Sequence, residues 1–204
     1  MGMGKGSMMT VRLFPFPSLL PAYSSAEYMC YTWPMPGAHT HDRITLVSGI
    51  LLAPVCWVLS PDHSLATVLT VTSAHLISGL VFSCDLDIDS LEYRRWGILR
   101  FIWWPYKETI PHRSWLSHGL VIGPLLRLAY FGLIVYGILW LIFNATGSTE
   151  LWQQLQRSFV TTIQQHSGQT YAFLIGFVLG GAAHSIPDWL TTGTKRAWNQ
   201  WTKF

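Results

Sequence analysis

Charge is what this chain has least of. Asp, Glu, Lys and Arg make up 11% of its 204 residues, against about 25% in a soluble globular protein. The net charge of +3 is too small to point to a nucleic-acid partner, and none is expected. Cysteine is scarce as well. Cys30, Cys56 and Cys84 have no CxxC spacing, which excludes a disulfide framework and a cysteine zinc finger. The first 34 residues, rich in Met, Gly, Pro and Ser, lack a sustained period and the apolar core and cleavage site of a signal peptide. They read as a poorly ordered N-terminal extension, with Met35 an alternative start. Residues 35–190 form the expected domain, and 191–204 a C-terminal tail.

What the chain does have is apolar length. Half of it is hydrophobic, and it holds eleven tryptophans, an amphipathic residue favoured at membrane interfaces. Four segments read as membrane helices. Residues 43–59 form the first, kinked at Pro54. Residues 64–82 form the second, with Ser60 or Asp62 placed to cap it. The third, 119–143, is the most apolar: 25 residues interrupted only by Arg127, where about 20 span a bilayer. The fourth, 171–190, carries Gly176, Gly180 and Gly181, which allow close helix approach in lipid. Between the last two, Leu151, Trp152, Leu155, Phe159, Val160 and Ile163 share one helical stripe, the pattern of an amphipathic helix on the membrane surface. The fold class is therefore all-α: an integral membrane bundle of about four helices plus an interfacial amphipathic helix.

The ends of these segments carry the chemistry. If the four alternate in direction, His41 and Asp42, the run Cys84-Asp85-Leu86-Asp87, His112 with His118, and His184 with Asp188 all reach one membrane face. Histidine nitrogen and carboxylate oxygen are zinc-type ligands. His184 and Asp188, four residues apart, share one helix face. Asp85, Asp87 and Asp89 alternate at the mouth of the second segment, as a metal-binding run or as a solvated turn. Ser114 or Ser117 is placed to cap the third helix, where free amides and Arg113 favour an anion such as phosphate. His75 lies inside the second segment, as a packing residue or a functional one. Arg127 falls nearly opposite His118 on an ideal helix, so it snorkels or pairs structurally. His39, His63 and His166 read as solvated. Trp96, Trp103, Trp104, Trp115 and Trp189 are expected at the interface on the site face, and Trp57, Trp140 and Trp152 at the other.

The runs Gly37-Ala38-His39-Thr40-His41-Asp42-Arg43, Asp85-Leu86-Asp87, Arg95-Trp96-Gly97, Trp104-Pro105-Tyr106, His112-Arg113-Ser114, Ser117-His118 and His184-Ser185-Ile186-Pro187-Asp188-Trp189 together resemble an uncharacterised family of metal-binding membrane proteins common in cyanobacteria. That family is distantly similar to LexA-regulated inner-membrane hydrolase-like proteins, and through them to the zinc-dependent phospholipase C and single-strand nuclease superfamily. The resemblance implies a helical fold and a metal site of His41, Asp85, Asp87, His118, His184 and Asp188. Cys84 departs from it, standing where a proline is usual. His39 departs too, standing where a basic residue is expected.

Two functional readings follow. In the first, a membrane-bound hydrolase uses a divalent metal, zinc or manganese, to cleave a phosphoester or a lipid headgroup. Asp42 is its general base, and His112 and Arg113 hold the substrate anion. In the second, the metal is structural in a non-catalytic assembly or transport factor. A third reading has no metal, the carboxylates pairing with Arg94, Arg95 and Arg100. The cyanobacterial resemblance places the protein in a plasma or thylakoid membrane. Lys and Arg crowd the site-bearing side, with Arg157 alone on the other, so that face and both termini are expected in the cytoplasm. A cysteine placed between residues 85 and 117 should react with an impermeant maleimide only after the cytoplasmic side is opened; labelling from outside reverses the orientation.

Overall fold

The computed structural model describes residues 37–61, 63–112 and 114–201, the last nine as backbone alone. Residues 1–34, Asp62 and Arg113, all singled out in the sequence, lie outside the described residues. Among the described residues eight α-helices run in order: α1 Ala38–Leu59, α2 Leu65–Leu80, α3 Leu91–Arg95, α4 Trp104–Thr109, α5 Trp115–His118, α6 Ile122–Ala145, α7 Thr149–Gln165 and α8 Ser167–Trp201. Two 3-10 stretches, Cys84–Asp87 and Gly97–Trp103, lie between α2 and α4. No strand occurs among the described residues. Four stretches are long and apolar enough to cross a membrane: Ala38–Leu59, Leu65–Asp87, Ile122–Ala145 and Ser167–Thr192. The protein is an all-α membrane bundle.

Local chemistry sets the boundaries. The Ser64 hydroxyl accepts the Ala66 amide at 3.2 Å, so Ser64 caps α2 in place of Ser60 or Asp62. Ser114 caps only the one-turn α5, accepting from the Ser117 amide at 3.2 Å. The helix does not run on from there. It breaks at Gly119, where an added Cβ would land on the Trp115 carbonyl oxygen, and restarts at Ile122. The break is the physical reason that His118 is not on the first turn of the long helix. At the far end α8 continues through Pro187 to Trp201, well past residue 190.

The closest helix contact is α2 on α8. A Cβ at Gly176 would land on the Val71 carbonyl oxygen, and one at Gly180 on that of His75, so α8 lies backbone-close against α2. Beside this seam sits an aromatic core. The Phe82 ring meets Trp96 at 5.4 Å, Trp103 at 5.6 Å, Phe131 at 5.3 Å and Phe177 at 5.4 Å, mostly edge to face. Trp103 is fully buried. Trp96 and Trp103 thus serve the core and not the interface, because the 3-10 stretch folds them inward, while Trp104, Trp115 and Trp189 stay exposed. On α7, Trp152 packs against Tyr136 and Phe143 of α6; Leu151, Leu155, Phe159, Val160 and Ile163 remain exposed, the face a membrane surface covers.

Gly180→Ala should cost about 1–3 kcal/mol by overpacking the α2–α8 seam. Its melting temperature in detergent should fall below that of Gly137→Ala, a position with nothing within 4 Å of an added Cβ. Equal melting temperatures would show that the seam is not tight.

Candidate metal centre

The start of α1, the 3-10 stretch after α2, the one-turn α5 before α6 and the middle of α8 meet at one end of the bundle. Five side chains close a ring there. His41 Nε2 lies 3.2 Å from Asp188 Oδ1. Asp188 Oδ2 lies 3.7 Å from His118 Nε2, which lies 3.7 Å from Asp85 Oδ1. Asp85 Oδ2 lies 3.4 Å from His184 Nε2. The His184 ring stacks on His41 at 3.9 Å, the planes 9° apart, completing the circuit. His41, His118 and His184 are 2%, 3% and 0% exposed.

The spacing suits metal ligands as well as hydrogen bonds. Ligand atoms about 2.1 Å from a tetrahedral ion lie about 3.4 Å from one another, inside the 3.2–3.7 Å range of the ring, and the 3.4 Å contact of His184 with Asp85 is itself a hydrogen bond. His118 Nε2 is buried without a hydrogen-bond partner, held between two carboxylates, while its Nδ1 is occupied by the Ser117 hydroxyl at 2.9 Å. Burial pulls the His118 pKa down, against the upward pull of Asp87, Asp85 and Asp188. The neutral imidazole that results is the form that binds metal. Two overlapping groups have ligand-type atoms mutually within 4.8 Å: Cys84, Asp85, His184 and Asp188, and Asp85, His112 and His118.

Several residues stand differently from their expected roles. Asp42, expected as a general base, accepts Arg95 Nη1 at 2.9 Å on Oδ1, and Nη2 on Oδ2. The same Nη1 also donates to the Leu80 carbonyl at 2.9 Å. With both oxygens held by one guanidinium, Asp42 ties α1 to α3 and is outside the ring. Asp87, expected as a ligand, is turned to His112 instead: His112 Nδ1 lies 2.8 Å from Asp87 Oδ1. His112, expected to meet substrate, is the most open of the group, its side chain 36% exposed. Asp89 pairs with Arg94, but among the described residues no arginine pairs with Asp85, Asp87 or Asp188, which disfavours the metal-free reading.

One residue enters that the sequence did not single out as a ligand. Cys84 is fully buried, its Sγ 4.0 Å from Asp85 Oδ1; its place beside the Asp-Leu-Asp run was the available signal. Outside both ligand groups, Glu92 is fully buried with both oxygens lacking a hydrogen-bond partner. Nothing in its sequence setting marks it. His75 serves packing: its Nε2 contacts the Ser48 hydroxyl at 2.9 Å and the Thr45 carbonyl at 3.2 Å. His39, His63 and His166 are exposed, as expected.

Arg127 does not snorkel. It is 0% exposed, and it donates from Nε to the Phe82 carbonyl at 2.7 Å and from Nη1 to the Ser117 carbonyl at 2.6 Å. Those carbonyls lie just before Asp85 and His118 in the chain, so one guanidinium sets the distance between two ring members.

A family model described as uncharacterized metal-binding protein matches residues 36–198, a range that takes in every side chain above. No curated protein and no solved structure matches the chain.

Arg127→Met should leave both carbonyls unpaired, at about 1–3 kcal/mol each. The expected result is a lower melting temperature in detergent and weaker zinc binding by calorimetry. Unchanged zinc affinity would show that the ring holds its spacing without Arg127.

Proposed function

The chain belongs to this metal-binding family, and on that premise we propose that it is an integral membrane hydrolase that uses a divalent metal, zinc or manganese, to cleave a phosphoester. The observation that carries the reading is the closed ring of His41, Asp188, His118, Asp85 and His184 with the exposed His112 imidazole at its edge. A purely structural site has its coordination closed by protein, whereas a catalytic one keeps a position open. His112 marks the open side.

Asp85, His184, Asp188 and Cys84, whose ligand-type atoms lie within 4.8 Å of one another, would hold the ion, with His41 and His118 against Asp188. Asp188 touches both His41 and His118, and fixes their nitrogens toward the centre. Asp87 orients His112 through Nδ1. When bound, a divalent ion supplies a water of lowered pKa and polarises a phosphoryl oxygen. Arg113, next to His112 in the chain, offers the guanidinium for the phosphate. The connection between α2 and α6 is apolar and basic together: Ile98, Leu99, Phe101, Trp104 and Trp115 are exposed, as is Arg100, a mixture suited to lipid headgroups. A membrane lipid is therefore the substrate class we favour. A cytoplasmic site in a plasma or thylakoid membrane remains part of the proposal.

The test is metal content in detergent. The purified protein should carry bound zinc or manganese by mass spectrometry, and a His118→Ala, His184→Ala double variant should carry none. The loaded protein should then release phosphate or a phosphorylated headgroup from lipid vesicles. Metal without turnover would favour the structural-metal reading. No metal, even after reconstitution, would remove both.

A further inference from the structure

We propose that the centre is built for two metal ions, bridged by Asp85, with the second ion seated at the mouth on Asp85, His112 and His118. This rests on the reading of the ring as a metal site and adds a second, more accessible one.

Asp85 is the hinge of the arrangement. Its two oxygens face different histidines: Oδ2 lies 3.4 Å from His184 Nε2, and Oδ1 lies 3.7 Å from His118 Nε2. The two candidate ligand groups have Asp85 alone in common. One group, completed by His184, Asp188 and Cys84, is almost wholly buried; the other, completed by His112 and His118, reaches the surface through His112. A carboxylate offering one oxygen to each of two ligand sets is the geometry of a bridged pair, whose ions sit about 3.5–4 Å apart in two-metal hydrolases.

The buried atoms point the same way. His118 Nε2, 3% exposed at its residue, lacks a hydrogen-bond partner and is aimed at the Asp85 carboxylate. His112 spends Nδ1 on Asp87, which leaves Nε2 as its ligand atom. Asp87 is thereby an outer partner that orients His112, the arrangement by which ligand histidines are usually held. This reverses the roles the sequence suggested, with Asp87 the ligand and His112 the substrate contact.

The experiment uses the full chain in detergent, stripped with chelator and titrated with Mn²⁺. Bound metal is counted by mass spectrometry, and coupling is read by electron paramagnetic resonance. The wild type should take up two Mn²⁺ per chain and show an exchange-coupled spectrum. His112→Ala, a change at an exposed side chain, should hold one ion with the spectrum of an isolated Mn²⁺. Asp87→Asn should keep the inner ion and weaken the outer one about 10- to 100-fold. One ion at saturation in the wild type, or two coupled ions in His112→Ala, overturns the bridged pair while leaving a metal protein. No ion at all overturns the metal site itself. Should His112→Ala not fold, the wild-type stoichiometry and the Asp87→Asn isotherm decide the matter alone.

Discussion

A buried guanidinium holds the site-bearing end of this bundle together. Arg127 projects from the most lipid-exposed of the four spans, yet is sealed from solvent. Burying such a charge is expensive unless its donors are matched. Here Nε and Nη1 meet the carbonyls of Phe82 and Ser117, where two helical segments end and would otherwise leave acceptors open, while Nη2 has no hydrogen-bond partner. The connection from α2 and the approach to α6 are thereby fastened to one rigid group. Asp85 and His118 follow those carbonyls by a few residues, so their separation is set by Arg127. The Phe82 ring anchors the aromatic core at the same point, and the ring of ligands sits above a packed floor.

The parts of this architecture that depend on hydropathy were legible in the sequence. Four apolar runs, an amphipathic stripe and the arithmetic of alternating helices place His41, Asp85, His118, His184 and Asp188 at one end, and they meet there. The finer assignments fail for geometric reasons. Asp42 is next to His41, but adjacent residues on an α-helix point about 100° apart, and Asp42 reaches Arg95 instead. Asp85 and Asp87 read as a pair because strand-like alternation would align them. On a 3-10 turn, with three residues per turn, positions two apart diverge, and Asp87 turns to His112. Arg127 was unreadable for another reason: its partners are backbone carbonyls, which no side-chain pattern records. The helix break at Gly119 likewise depends on a close backbone approach that hydropathy does not register.

Function and fold draw on one set of residues at the membrane boundary. The spans are exposed along most of their length, as lipid requires, and what holds them is the α2–α8 seam, the packing of α1 on α2 through Gly49 and Gly79 and the aromatic cluster. Polar groups that a soluble protein would scatter are instead concentrated at one end. There, short capped helices and 3-10 turns replace the long helices, which lets neighbouring side chains be aimed independently.

The stack of His184 on His41 has a consequence for assembly. It joins the first span to the last, and Asp85 and His118 join the ring from between them. Bringing such distant segments together carries a loop-closure entropy that grows with the logarithm of their separation. A ligand that bridges them repays that entropy in one binding event, and it does so only once all four spans are in place. Metal availability would then act as a checkpoint on insertion: a chain with its last helix missing or inverted has no partner for His41, and nothing with which to complete the ring.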